Sequence, residues 1–202
     1  MAQSTINAKT GTSGGHVRCG DAVWATARAG TGSTLDATQT SARVQSDFSG
    51  GSYFIRRGFL QFDISSIPTG SRIQSAIYKT YVSNLSDANT SGIIIAQSTA
   101  DDTISTNDFT AVGTTSFGTV NYSDCANNTY EEIALNSDGV AYIQSNIGST
   151  GLKFAHRDSR DFNNSVPTGD NEAVIEDGDS ANPAQLIVTY NPPGAGALFG
   201  AL

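Results

Sequence analysis

Residues Arg57 to Asn84, RGFLQFDISSIPTGSRIQSAIYKTYVSN, constrain the fold more than any other stretch of the chain. In Phe59–Ile64, Leu60, Phe62 and Ile64 fall on one side of a pleat, and Gln61 and Asp63 on the other. Ser-Ile-Pro-Thr-Gly follows. Pro68 presets φ and Gly70 tolerates positive φ, so the chain can reverse there without strain. A second long strand is then expected, with Ala76, Tyr78, Thr80 and Val82 on one face and Ile77, Lys79 and Tyr81 on the other. Two long strands joined by a turn require a sheet, but they specify no chemistry.

The rest of the 202 residues extends that pattern. Charged residues make up only 15%, while Gly, Ser, Thr and Asn abound and helix formers are scarce. Strands are expected at about 16–28, 40–48, 52–64, 72–85, 92–98, 112–120, 129–135, 150–156, 171–176 and 184–190. About ten short strands with polar turns point to an all-β, two-sheet antiparallel sandwich of jelly-roll type, in one domain spanning 16–190. One short helix is expected, where Asn136-Ser137-Asp138 can cap and Val140, Tyr142, Ile143 and Ile147 recur at helical spacing before Gly148. A helical turn is expected over Ser105–Phe109. Residues 1–15 read as a polar extended arm. Residues 191–202, NPPGAGALFGAL, read as a tail, because Pro192 and Pro193 lack the N–H that a ladder needs. Its bulky residues, Leu198, Phe199 and Leu202, are candidates for contact with a neighbouring subunit.

Several function classes lose support. The net charge of −8 and the lack of basic clusters argue against nucleic-acid binding; Arg56-Arg57, the single basic pair, is expected on an exposed strand face. No apolar run approaches the roughly 20 residues of a membrane span. The N-terminus lacks a signal-peptide pattern, so Met1 is either a native start or a replacement for a removed signal. Cys19 and Cys125 are expected as unpaired thiols, since a core this size needs no bridge.

No catalytic set emerges, and the chain is expected not to be an enzyme. The two histidines are His16 and His156, and no G-x-S-x-G elbow occurs. His156, within KFAHRDSRD, could orient on Asp158 as a base, but the same segment reads more simply as a loop network of ion pairs. No cofactor is implied. Acidic turns offer oxygen ligands for a structural calcium, with Asp170, Glu172, Asp177 and Asp179 as the candidates, although the same residues suit solvated turns. Trp24, Tyr53, Tyr122 and Tyr130 are the aromatics available to stack on a glycan.

The Arg57–Asn84 stretch, together with NPAQLIVTY (Asn182–Tyr190) and the segment ALNSDGVAYIQSNIGSTGLKFAHRDSRDFNN, resembles the DNRLRE domain family, a group related to carbohydrate-binding modules. The resemblance covers roughly residues 40–190 and departs from the family at Tyr78 and Thr80, where aliphatic residues are usual. It implies a jelly roll and a non-catalytic module of secreted, surface or virion proteins, and it supplies no catalytic residues. Two functions are therefore expected. One is a structural or decoration protein of a virion or other surface assembly, oligomeric and in contact with capsid or other assembly proteins. The other is a carbohydrate-binding module that recognises surface glycans.

Overall fold

The computed structural model describes residues 1–39, 41–87 and 90–194. Among these residues the strands are β1 (Ala2–Asn7), β2 (Gly15–Asp21), β3 (Thr34–Thr38), β4 (Ala42–Ser49), β5 (Ser52–Phe62) and β6 (Arg72–Asp87). They continue as β7 (Gly92–Ser98), β8 (Val112–Asn121), β9 (Thr129–Ala134), β10 (Leu152–Asp158), β11 (Asn171–Ile175) and β12 (Gln185–Asn191). Three short helices accompany them: α1 (Trp24–Ala29), α2 (Ser137–Ser145) and α3 (Ser159–Asn163). The fold is all-β, a curled antiparallel sheet of the sandwich type.

The sheet runs β1-β12-β6-β11-β4-β5-β10-β7-β8, with β2 added beside β5, β3 beside β2 and β9 beside β6. Strand β5 makes it curl. Its first half, Ser52–Arg56, pairs with β4, while its second half, Gly58–Phe62, pairs with β10. The two halves of the sheet then face each other across one core. Val44, Tyr78, Val82, Ile175 and Leu186 meet Leu60, Phe62, Ile93, Ile95 and Phe154 there. Gly58 sits where β4 and β10 part. A Cβ at that position would lie 3.2 Å from the Arg43 carbonyl oxygen and 3.4 Å from the Cβ atoms of Ala42 and His156, so only glycine fits without displacement.

The pattern read over 57–84 holds in three dimensions. Leu60, Phe62 and Ile64 are buried, as are Ala76, Tyr78, Thr80 and Val82, while Ile77, Lys79 and Tyr81 are only partly covered. Tyr78 is core, packed edge-on to Phe62 and Phe154. Helix α2 forms where expected, and the Asn136 side chain accepts from the amides of Asp138 and Gly139. Ser105 and Asp108 form a capping box at a 3-10 turn over Thr106–Thr110.

Three differences matter. The strand expected over 16–28 stops at Asp21, whose carboxylate accepts from the Val23 amide. Helix α1 follows and ends at Gly30 in the left-handed region (φ 77°). Helices α1 and α3 thus add to the one helix expected. Residues 1–15 are not a free arm, because Ala2–Asn7 forms β1 and pairs with β12, with Ala2 and Ile6 against the core. Finally, a second cluster covers the opposite face of β2, β5 and β10. Val17, Cys19, Trp24, Ile55, Phe59 and Phe109 belong to it. Strands β5 and β10 bury hydrophobic residues on both faces, which explains how this polar chain accommodates so many large side chains. The tail residues Leu198, Phe199 and Leu202 lie outside the described residues.

Candidate interaction surfaces

The aromatics nominated for stacking do not form a platform. Trp24 is 8% exposed, sits in the second cluster and donates its indole N–H to Asn164 Oδ1 at 3.0 Å. Tyr122 is 1% exposed. Neither ring face is open to a sugar, because each supplies apolar area to a core. Tyr53 is half-buried and packs on Trp24 and Phe48. Tyr130 lies on β9, edge-on to Tyr81, with its hydroxyl donating to the Pro183 carbonyl.

The acidic candidates for calcium are also dispersed. Asp170 accepts from Gln45 Nε2. Glu172 pairs with Arg43 and Arg56 at 3.2 and 2.8 Å. Asp177 accepts from the Asp179 amide, and Asp179 accepts from the Gly11 amide. Among the described residues no three His, Cys, Asp or Glu side chains gather as a metal site. The calcium expectation at these four residues is therefore corrected: each carboxylate is held by nearby cations or amides, not turned toward a common point. Both cysteines are free thiols.

His156 is not oriented on Asp158. Its ring Nε2 lies 2.7 Å from the Tyr78 hydroxyl, inside the sandwich, where no substrate reaches it. Burial lowers its pKa to about 4. Asp158, also buried, caps α3 by accepting from the Arg160 amide and takes a 2.6 Å hydrogen bond from the Ser91 hydroxyl. Burial raises its pKa to about 6; the hydrogen bonds from Ser91 and the Arg160 amide offset that rise only in part.

The strongest polar constellation is an ion network that sequence reasoning placed in a loop and on an exposed strand face. Asp161 is fully buried and receives both Nε and Nη2 of Arg57, at 2.8 and 2.7 Å. Arg157 Nε donates to the same carboxylate at 2.8 Å, and Arg28 Nε donates to the Asp161 carbonyl. Burial alone would raise the Asp161 pKa, but the Arg57 and Arg157 guanidiniums outweigh it and hold it below the usual carboxylate range. Arg57, expected on the surface, is 4% exposed; its other N–H groups reach the carbonyls of Phe109 and Arg28. The network binds α1, α3, β5 and β10 together. Its donors are occupied by protein, so it is structural.

Two of the open surfaces bear on function. The first is a groove of about 510 Å³ between β8 and α2, lined by Gln97, Thr114, Thr115, Asp138, Tyr142 and Ser145. Tyr142 stacks on Phe117 with ring centroids 5.2 Å apart and donates its hydroxyl to the Lys153 carbonyl. The helix and the strand were each legible in sequence, but their apposition was not. The second is the edge of β1. At the other end of the sheet, part of the β8 edge is covered, since Asn136 donates its amide and its side chain to the carbonyls of Phe117 and Ser116. Strand β1 pairs with β12 in a register running from Ala2↔Tyr190 to Asn7↔Gln185, and just beyond it Ala8 bridges Phe62 and the Lys9 amide donates to the Gln61 carbonyl, so the end of β5 covers the outer side there.

No protein-family model and no curated protein matches the chain. No helix among the described residues is long and apolar enough to cross a membrane.

Proposed function

We propose that this chain is a non-catalytic structural module of a surface assembly, a decoration protein of a virion-type particle, which meets neighbouring subunits through its terminal segments. One observation carries the reading: the start of β1 and the end of β12 lie side by side at one border of the sheet. Ala2 lies opposite Tyr190 in the register, so the first strand and the start of the tail share one border of the fold, beside an uncharged open edge. A module built this way keeps its core to itself and offers backbone and tail to a partner. The resemblance of Arg57–Asn84 and Asn182–Tyr190 to DNRLRE domains supports a non-catalytic role, as does the burial of His156 and Asp158 away from any open groove.

The test is a chain that ends at Asn191, which retains the whole of β12. Co-expressed with the proteins encoded beside it, this truncated chain is expected to fold with the same circular dichroism and melting profile yet fail to copurify with assembled particles. Incorporation equal to that of the full chain would overturn the proposal.

A carbohydrate-binding role is the second reading. It is favoured by the groove beside α2, where the half-buried Tyr142 ring lies among hydroxyl and amide side chains suited to sugar hydroxyls. Under this reading a glycan array identifies a ligand, and Thr115→Trp, which fills the groove from an exposed position, abolishes its binding. An array blank at millimolar sensitivity removes it.

A further inference from the structure

We infer that a groove between β6 and α2 is the docking site of residues 195–202 of the same chain, with Phe199 as the inserted side chain. The inference rests on the assembly reading for its use, because it names where the tail is held until a neighbouring subunit takes it. The groove has a volume of about 440 Å³ and lies on the other side of Ala141 from the groove beside β8. Ile73, Leu135 and Val140, buried or half-buried, form its floor, and the exposed Arg72, Ala141 and Gln144 form its rim.

Its walls are fixed before anything binds. The Ile73 amide donates to Gln144 Oε1 at 2.8 Å, and Gln144 Nε2 donates to the Ser71 carbonyl at 3.0 Å. At the other end the Leu135 amide donates to the Ala76 carbonyl at 2.9 Å. With these backbone groups engaged, an occupant gains affinity by inserting apolar side chains and not by adding a strand.

The path of the chain selects the occupant. Asn191 pairs with Arg72, which lines the groove. Pro193 then packs on the turn before β6, where a Cβ on Gly70 would lie 3.5 Å from the Pro193 Cβ. The next residue of that turn, Ser71, is the one bonded by Gln144 of α2. The described chain therefore ends, at Gly194, beside the mouth of the groove. Eight more residues reach about 26 Å when extended, well beyond the roughly 10 Å that α2 spans between Ser137 and Gln144.

Composition agrees. Residues 195–202 have no charged side chain and include Leu198, Phe199 and Leu202. Among the described residues no carboxylate lines the groove, and its floor is apolar. A segment tethered this closely has an effective concentration in the millimolar range, so millimolar affinity suffices to fill the groove part of the time. Docked and released forms are then both populated. The tail stays available to a neighbour, and a chain ending at Asn191 keeps a melting profile near that of the full chain.

Paramagnetic relaxation in the full chain is the test. In a Cys125→Ser background the remaining Cys19 is buried, so a nitroxide reagent labels only an introduced Ala201→Cys. The label is expected to weaken the amide signals of residues 72–75 and 135–144 and to leave those around Val23 and Phe48 intact. Phe199→Ala, and separately Ser75→Trp, which fills the groove from an exposed position, are expected to restore the weakened signals. Isotope-labelled chains without nitroxide, mixed with unlabelled chains that carry it, are expected to show no loss. Losses spread evenly over the surface, or losses that persist in both variants, overturn the inference. So do losses in the mixed sample, which would assign the groove to a second copy. Intact groove signals in a chain whose truncation at Asn191 blocks entry into particles refute the docking and leave the assembly reading standing. Losses confined to the groove, in a chain that enters particles equally well when truncated, do the reverse.

Discussion

The Nε2 atom of His156, on β10, lies 2.7 Å from the hydroxyl oxygen of Tyr78, on β6, and both side chains are fully buried. The pair joins the two layers of the sandwich through its centre. Burial lowers the His156 pKa to about 4 and raises that of Tyr78, so a neutral imidazole meets a neutral phenol. Tyr78→Phe keeps the ring contacts and removes the hydroxyl. The expected loss is about 1–3 kcal/mol, the cost of a buried polar group left without its partner. Urea unfolding at neutral pH measures it, and a loss of zero would show that the imidazole is served by another group.

Acid should unfold this protein in a window set by its histidines. His16 and His156 both have pKa values lowered to about 4, chiefly by burial. The unfolded chain takes up these protons near pH 6.5, whereas the folded chain resists them. The resulting stability is fully present above pH 6.5 and is lost as pH falls toward 4. For the fully buried His156 the loss is on the order of 3 kcal/mol. Unfolding free energy measured across that range is expected to decline, and His156→Gln is expected to flatten the slope.

Asp158 works in the opposite direction. Its pKa rises to about 6 on folding, mainly because it is buried, so the native state binds a proton that the unfolded chain holds only below about 4. Its protonation stabilises the fold as pH drops from about 6 toward 4, and that contribution disappears as pH rises through 6. Asp158→Asn removes this titration. Relative to wild type, the variant is expected to gain on the order of 3 kcal/mol between pH 4 and pH 7. A pH-independent difference between the two proteins would show that Asp158 titrates normally.

Removing the Asp161 carboxylate leaves Arg57 and Arg157 buried without a counter-ion. Asp161→Asn is expected to cost about 3–5 kcal/mol. The effect should appear as a lower denaturation midpoint and as protease sensitivity in α1 and α3, the helices the network holds. A change below 1 kcal/mol would place the guanidiniums in water.

Trp24, the single tryptophan, should behave as a core residue. Its emission is expected to be that of a shielded indole, shifting red on unfolding and staying constant when sugars are added. Trp24→Ala is expected to cost about 3–5 kcal/mol by opening a cavity beside Phe59 and Phe109. A variant of full stability with lost glycan affinity would return Trp24 to the surface.

The strands legible in sequence were those whose alternation involves large side chains, as in Phe59–Ile64 and Ala76–Val82. Strands β1 and β3 escaped notice because AQSTIN and TLDAT alternate small or polar residues, and their strand character depends on β12 and β2 beside them. Helix α1 was hidden in a stretch read as one long strand, although its alanines and Gly30 carry a helix-and-stop signal. The ion pairs around His156 were legible, and Arg157 and Asp161 do pair four residues apart, but no local signal showed that the network is buried or that Arg57 joins it. Arg57 looked like a surface residue because its partner, Asp161, is 104 positions away.

By itself the sequence determined the all-β class, the two long strands β5 and β6, the turn between them and the cap of α2. Those features follow from side-chain alternation and from the backbone preferences of Pro, Gly and Asn, which act over a few residues. That β5 and β6 pair with other strands and not with each other came only from the tertiary structure. Tertiary structure decided which polar groups are enclosed and which edge is open. His156 loses water only when the two layers close on Tyr78, Arg57 only when α1, α3 and the 3-10 turn at Phe109 pack over β5, and β1 lies at a border of the sheet with β12 on its inner side. Burial and pairing over such distances are properties of the closed sheet, which no local window of sequence contains.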